Sequence, residues 1–266
     1  MDGFFVWVLI AAVVGGASCG LIGVYLVGMR LPFLGLCISH AATAAIVLSL
    51  WLGIETAWPA VVISGLVSVS LAAIGPERSR LDANVALSVL FSLMLGLTFL
   101  GVGLIGTSRS SVLGLLWGNI LFMYPRRIVA IAAVGLAFAL FAWLFNKELK
   151  VLLFSRSLAA ATGLHHLLVY GLFLALTGVT LAVNLPMVGG LMLFCLITNP
   201  AAAAYQICSG HGSVVRWSML FGMLSGALGF WASYLLDLPT GACIVTISAF
   251  IFAGALLYRT LHERYH

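Results

Sequence analysis

Residues 4–27 read FFVWVLIAAVVGGASCGLIGVYLV, a run of 24 residues without a charged side chain. A helix of about 20 apolar residues is long enough to cross the hydrocarbon core of a bilayer. The run therefore predicts a membrane-spanning first helix. Its small residues, among them Gly15 and Gly16, are typical of surfaces where membrane helices pack closely.

The rest of the chain has the same character. Hydrophobic residues make up 63% of the 266 residues and charged residues 7%, against roughly 25% charged in a soluble domain. We therefore expect an all-α, polytopic integral membrane protein with about nine spans and a single domain, 1–266. Its further apolar runs lie near residues 33–53, 57–75, 85–106, 127–145, 166–184, 186–206, 214–235 and 240–260. The stretch 107–125 is too broken for a span and favours a loop with a short interfacial or re-entrant helix.

The basic residues predict an orientation. With the N-terminus outside and about nine spans, most lysines and arginines fall in cytoplasmic loops, and only Arg109, Arg126 and Arg127 fall outside. This asymmetry is the one that the positive-inside rule describes. The net charge of +5 therefore reflects membrane orientation, and we expect lipid rather than nucleic acid as a partner. The five cysteines are scattered without a C-x-x-C pair, so neither a disulfide framework nor a zinc knuckle is indicated.

A histidine lies inside the second apolar run, in the stretch Gly35–His40 (GLCISH). Ionisable side chains at membrane depth are costly and usually face a bundle interior or a transport pathway. Cys37 and His40 are three residues apart and so share one helix face, and thiolate and imidazole both bind zinc and similar metals. The alternative is a histidine hydrogen-bonded to a neighbouring helix, with Cys37 as a small buried apolar side chain.

Two further polar residues are candidates for a cation pathway. Asn199 precedes Pro200 in an apolar run, where a proline kink either lines a cavity or serves packing. Asp237 lies two residues before Pro239 near the end of another run. A negative charge at a helix C-terminus opposes the helix dipole. The Asp237 carboxylate therefore has another role: it either attracts cations at an outer mouth or caps the turn.

The polar segment 154–164 predicts a short interfacial helix. The Ser155 hydroxyl can cap its start, and Gly163 suits its end. The small side chains between them would let this helix dock into a groove on a cytoplasmic partner, although a plain amphipathic connector is also compatible with the pattern. The candidate docking residues are Ser155, Arg156, Ala159, Ala161 and Gly163.

Enzymatic chemistry is not expected. The chain lacks the phosphate-binding pattern Gly-x-x-x-x-Gly-Lys-Ser/Thr, so any ATP hydrolysis belongs to another chain. His262–His266 spell H-E-x-x-H, the zinc pattern of metalloproteases. Because the pattern stands in the last five residues, we interpret it as a solvated tail.

Several segments together resemble the membrane permeases of manganese, zinc and iron ABC importers. Gly20–Ala41 contains a glycine-rich helix, an arginine and then G-x-x-I-S-H-A. Phe154–Leu164 is similar to the family's F-D-x-x-x-A-x-A-x-G-L, with Ser155 where the family usually has Asp. The remaining segments are Leu115–Leu121 (LLWGNIL), Val188–Ala204 (VGGLMLFCLITNPAAAA) and Ser225–Val245.

The resemblance implies a type II ABC importer-like permease in a prokaryotic cytoplasmic membrane. It implies a second permease copy, identical or different, a separate cytoplasmic ATPase and an extracytoplasmic metal-binding protein. Residues 154–164 would be the coupling helix to the ATPase. A divalent metal would be the transported substrate, with no permanently bound cofactor, and alternating access would carry it past His40, Cys37, Asp237 and Asn199.

One departure from the family concerns the metal. The family pattern G-D-A-L-S-H places an aspartate four residues before the histidine as a metal site, and Leu36 stands in its place here. Either the site has become a Cys37–His40 pair, which favours a softer ion such as zinc, or metal selection has moved elsewhere. Three alternatives remain open: a permease for a siderophore-like or corrinoid chelate, an intramembrane metalloenzyme, and an ion-driven carrier without ATP.

Overall fold

The computed structural model describes residues 2–53, 58–73, 83–104, 118, 125–154 and 166–265. The described residues form ten helices, which confirms the all-α class. They are α1 (Asp2–Gly28), α2 (Pro32–Trp51), α3 (Trp58–Ala73), α4 (Ala83–Leu104), α5 (Pro125–Leu144), α6 (Asn146–Phe154), α7 (His166–Val188), α8 (Gly190–Ile207), α9 (His211–Leu236) and α10 (Thr240–Tyr265).

Seven of these helices are long and apolar enough to cross a membrane: α1, α2, α4, α5, α7, α9 and α10. Two shorter apolar helices lie within α3 and α8, at Trp58–Ser68 and Met192–Ile207. The chain is therefore a multi-pass membrane protein by composition and length, and the count of about nine spans stays a prediction that depends on these two shorter helices.

α1 lies at the centre and packs against α9, α8 and α5. Its contact with α9 is made through glycines. A Cβ placed on Gly16 would meet the backbone of Gly222, and one placed on Gly226 would meet the backbone of Ala12. The Ser218 hydroxyl donates a 2.7 Å hydrogen bond to the Gly20 carbonyl across the same contact. Small residues thus allow the two backbones to touch, as predicted for membrane helices that lack a hydrophobic driving force.

α2 and α4 run parallel to each other. Along α2, Cys37 contacts Leu87, His40 contacts Phe91 and Val47 contacts Gly101. The residue numbers rise together on both helices, which fixes the parallel direction. Besides α4, α2 packs against α3, α7 and α8, so its middle residues are enclosed on several sides.

One end of the bundle gathers the ends of three helices. A Cβ on Gly28, the last residue of α1, would lie 2.5 Å from the Tyr205 hydroxyl of α8 and 2.6 Å from Leu153 Cδ2 of α6. The Tyr205 hydroxyl also donates a 2.9 Å hydrogen bond to the Val24 carbonyl. The C-terminal ends of α1, α6 and α8 therefore lie at the same face of the bundle.

The boundary between the runs 166–184 and 186–206 was wrong by a few residues. α7 continues to Val188 with Pro186 inside it, and the break falls at Gly189. Gly189 adopts a φ of 91°, a conformation that only glycine adopts without strain. The chain therefore turns at the glycine rather than at the proline.

Candidate functional site

Cys37 and His40 occupy the middle of α2, which begins at Pro32 directly after the tight turn that follows α1. Both side chains are fully buried. Proline suits the first helical turn because its missing N–H is not needed there. The helix then carries the two residues about 8–12 Å from its start, at 1.5 Å per residue, so both sit near mid-span.

The predicted shared face of Cys37 and His40 is confirmed, and it points toward α4. The Cys37 thiol donates a weak hydrogen bond to the Leu87 carbonyl at 3.5 Å. The His40 ring packs edge-to-face on the Phe91 ring, with centroids 4.9 Å apart and an interplanar angle of 75°. The structure therefore brings the thiol and the imidazole together against one neighbouring helix.

The His40 imidazole has no hydrogen-bond partner for either ring nitrogen among the described residues. A buried polar group without a partner costs about 1–3 kcal/mol, so native proteins keep few of them. Within the described part of the chain, no hydrogen bond joins His40 to a neighbouring helix. A neutral imidazole keeps one free lone pair, which makes His40 chemically able to bind a metal ion.

Neighbouring hydroxyls on α2 are already paired. Ser39 donates to the Gly35 carbonyl at 2.8 Å, and Thr43 donates to the Ser39 carbonyl at 2.9 Å. Thr43 also lies against Gly190, since a Cβ on that glycine would be 2.7 Å from the Thr43 hydroxyl. The hydroxyls of both residues are thus satisfied within α2, whereas the His40 nitrogens have no partner among the described residues.

Asn199 and Asp237 lie on other contacts. The Asn199 amide donates to the Ser248 hydroxyl at 2.9 Å and so joins α8 to α10. Asp237 is exposed in the turn between α9 and α10, with the left-handed backbone angles φ 53° and ψ 42°. In the part of the chain that the structure describes, no three His, Cys, Asp or Glu side chains form a group able to hold a metal.

A buried asparagine was missed by the sequence analysis. Asn184 in α7 donates to the Thr180 carbonyl at 2.8 Å and to the Ser18 hydroxyl at 3.4 Å, and its side-chain oxygen is buried without a partner among the described residues. The signal was present, because a polar amide inside an apolar run carries the same cost that drew attention to His40.

The coupling residues Ser155, Arg156, Ala159, Ala161 and Gly163 lie outside the described residues, as does most of the segment 107–125. Only the approach to the coupling segment is described. α6 ends at the strongly exposed Phe154, while its Leu153 packs beside the end of α1. The last described residues before position 155 thus lie near the bundle face where α1 and α8 end.

The terminal H-E-x-x-H stretch does not form a site in the described residues. Glu263 pairs with Arg259 at 2.7 Å, and the His262 ring stacks on Tyr258 with centroids 5.9 Å apart. The chain's last histidine, His266, lies outside the described residues. An exposed ion pair and an exposed ring fit the interpretation of a solvated helix end.

Comparison with known proteins gives one consistent result. The sequence profile of the ABC 3 transport family matches residues 1–259. The manganese import system permease protein ScaB of Streptococcus parasanguinis is 29% identical over 246 residues, which cover 92% of this chain and 86% of that protein. The chelated iron transport system membrane protein YfeD of Yersinia pestis is 29% identical over 251 residues, covering 94% and 84%.

A solved structure agrees with the sequence relatives. PsaBC from Streptococcus pneumoniae, in complex with a Fab, superposes with a TM-score of 0.82 at 26% identity, and the match covers 96% of this chain and 94% of that one. Sequence and fold thus point to the same group of proteins over nearly the whole length of the chain.

Proposed function

Since the chain belongs to the ABC 3 transport family, we propose that it is the permease subunit of an ATP-driven importer for a divalent transition metal. The observation that carries the proposal is His40, a fully buried imidazole at mid-span with both ring nitrogens unpartnered among the described residues. A transport pathway is the usual reason for such a group at this depth.

Manganese is the first candidate substrate because relatives such as ScaB are named for it, and zinc and iron follow. Cys37 stands beside His40, and a thiolate favours zinc over the harder manganese ion. Two ligands alone bind an ion weakly, which suits transport, because an ion must also leave the site to be conducted.

The proposed transport cycle is the one that the resemblance to metal importers implies. Two permease copies would expose the metal site alternately to the two sides of the membrane, in a type II importer arrangement with about nine spans each. A separate ATPase would drive the change through residues 154–164, and an extracytoplasmic protein would deliver the metal. The contacts of Leu153 and Tyr205 at the end of α1 support this route, since α1 leads through a short turn into the helix that carries His40.

The membrane is proposed to be the prokaryotic cytoplasmic membrane, with the coupling segment inside. If about nine spans alternate in direction, the ends of α1, α6 and α8 lie on this side of the membrane. Arg30, Lys147 and Lys150 lie there as well. The structure brings those helix ends to one face, as this topology requires.

A metal chelate is the second candidate substrate. The relative YfeD is named for chelated iron, and Leu36 removes the carboxylate that a bare divalent ion would use. A chelate brings its own ligands and therefore needs fewer from the protein.

Metal uptake in cells distinguishes the candidates. Cells expressing the permease with its ATPase and binding protein are given a panel of divalent ions, and the variants are Cys37→Ala, His40→Ala and the matched control Thr43→Val. We expect loss of uptake of one ion in both site variants at normal protein levels, with the control unaffected. Wild-type uptake of a chelate but of no free ion would replace the first candidate with the second, and equal uptake by all variants would refute a role for the pair.

A further inference from the structure

α4 covers the Cys37–His40 pair with two of its own groups. The Leu87 carbonyl accepts a hydrogen bond from the Cys37 thiol, and the Phe91 ring lies edge-on to the His40 ring. In this arrangement both side chains are fully buried and the imidazole nitrogens meet no polar partner among the described residues. An ion can therefore reach the pair only if one of the helices that enclose α2 moves, and α4 is the helix whose groups contact both side chains.

Among the described helices, α4 packs against the fewest neighbours. Its extensive contacts are with α2 alone, whereas α3 packs on both α2 and α7. Within its most apolar window 11% of the residues are buried, against 67% in α2. A stripe of α4 side chains at helical spacing faces away from the protein, each at least 46% exposed: Val85, Val89, Leu93, Leu97, Leu100 and Leu104.

The contact between α4 and α2 includes a close approach at its far end. Gly101 packs on Val47, and a Cβ placed on Gly101 would lie 3.5 Å from the Val47 Cβ. At the near end the Asn84 amide donates to the Arg30 carbonyl at 3.4 Å. α2 is the one described helix on which α4 packs extensively, so α4 can move away from the bundle by breaking that single interface.

We propose that α4 is a movable lid over the Cys37–His40 pair, and that the transported cation reaches the pair when α4 separates from α2. Phe91 is the residue that seals the imidazole in the closed state. This inference rests on the proposed function, because it concerns the same pair of residues, and it adds the element that controls access to them.

A reversible tether tests the lid. Disulfides need a Cβ–Cβ distance of about 3.5–4.5 Å, which the pair Val47→Cys/Gly101→Cys meets. The pair is introduced into a background in which Cys37 is the only native cysteine kept, with Cys19, Cys195, Cys208 and Cys243 replaced by alanine. Ser18→Cys/Gly135→Cys, whose Cβ atoms would lie 3.3 Å apart, is the matched control that ties α1 to α5 instead.

Two readouts are taken on the permease assembled with its ATPase during ATP turnover. The first is the rate at which N-ethylmaleimide modifies Cys37, read by peptide mass spectrometry, and the second is manganese uptake. After oxidation with diamide, we expect the α2–α4 tether to slow Cys37 modification at least tenfold and to abolish uptake. Dithiothreitol should restore both, and the control tether should leave Cys37 modification unchanged. In the Phe91→Ala variant without any tether, N-ethylmaleimide should modify Cys37 faster than in the parent protein.

Each of the following outcomes contradicts the proposal that α4 is a lid. Unchanged modification of Cys37 in the tethered protein shows that α4 does not control access, and unchanged uptake shows that its movement is not needed for transport. If even the untethered protein takes up no metal ion, the proposed function fails, and Cys37 modification alone then decides whether α4 covers the pair.

Discussion

Replacement of His40 by leucine should stabilise the protein and abolish its transport. The two ring nitrogens are buried without hydrogen-bond partners among the described residues, and each such group costs about 1–3 kcal/mol. Leucine has nearly the volume of histidine and no polar atom. It loses the edge-to-face contact with Phe91, which is worth about 0.5–1.5 kcal/mol. Two such groups outweigh one ring contact, and the balance favours His40→Leu by about 3 kcal/mol.

A thermal unfolding experiment in detergent measures this balance. For chains of this size about 1 kcal/mol corresponds to about 2–4 °C, so the Tm of His40→Leu should rise by about 6–12 °C. Thr43→Val is the matched control on the same helix. Its hydroxyl is already bonded to the Ser39 carbonyl, so its removal should lower the Tm slightly or leave it unchanged.

Metal uptake measured on the same preparations completes the test. A gain of stability together with a loss of function is typical of a residue kept for activity at the expense of the fold. A lower Tm for His40→Leu would refute the reasoning, because it would show that the imidazole makes a stabilising hydrogen bond.

The remaining predictions concern packing, a polar contact and the tail. Gly222→Leu should prevent assembly of the permease, because its side chain would strike the backbone of α1 and overpacking typically costs about 1–3 kcal/mol; Gly103→Leu, which meets open space, should express normally, and size-exclusion chromatography compares the two. A double-mutant cycle on Asn199→Leu and Ser248→Ala should give a coupling of about 0.6 kcal/mol, the average for hydrogen bonds between membrane helices; a coupling of zero in unfolding experiments would contradict the 2.9 Å contact. Deletion of residues 262–266 should leave metal uptake unchanged, and a loss of uptake at normal expression would revive a role for the terminal H-E-x-x-H stretch.

Local features of the fold were accessible from the sequence. The spacing of three between Cys37 and His40 placed them on one helix face, and the contacts with Leu87 and Phe91 confirm it. The glycines of the first helix were predicted to pack closely, and the contact of Gly16 with the backbone of Gly222 confirms that as well. Both predictions depend on helix geometry alone, which a sequence specifies.

The sequence did not predict which neighbour packs against each helix face. Phe91 lies 51 residues after His40, and nothing in its own apolar run distinguishes it from the other phenylalanines as the residue that would meet the imidazole. Membrane helices expose similar apolar surfaces on every side, so hydrophobic pattern does not select one neighbour over another.

The exact ends of helices were also not predicted from the sequence. The sequence pattern placed the end of one apolar run near residue 184 and the start of the next near residue 186. The structure instead keeps Pro186 inside α7 and breaks the chain at Gly189, whose φ is 91°. The apolar pattern alone did not reveal that the break falls at this glycine.

ATP-dependent manganese accumulation in proteoliposomes tests the central claim most directly. The permease is reconstituted with its ATPase and binding protein, as wild type and as His40→Leu, after both are shown to be folded by their Tm. The account predicts accumulation by the wild type and none by His40→Leu, although the variant is at least as stable. Equal rates of accumulation by the two proteins would contradict a metal pathway through His40.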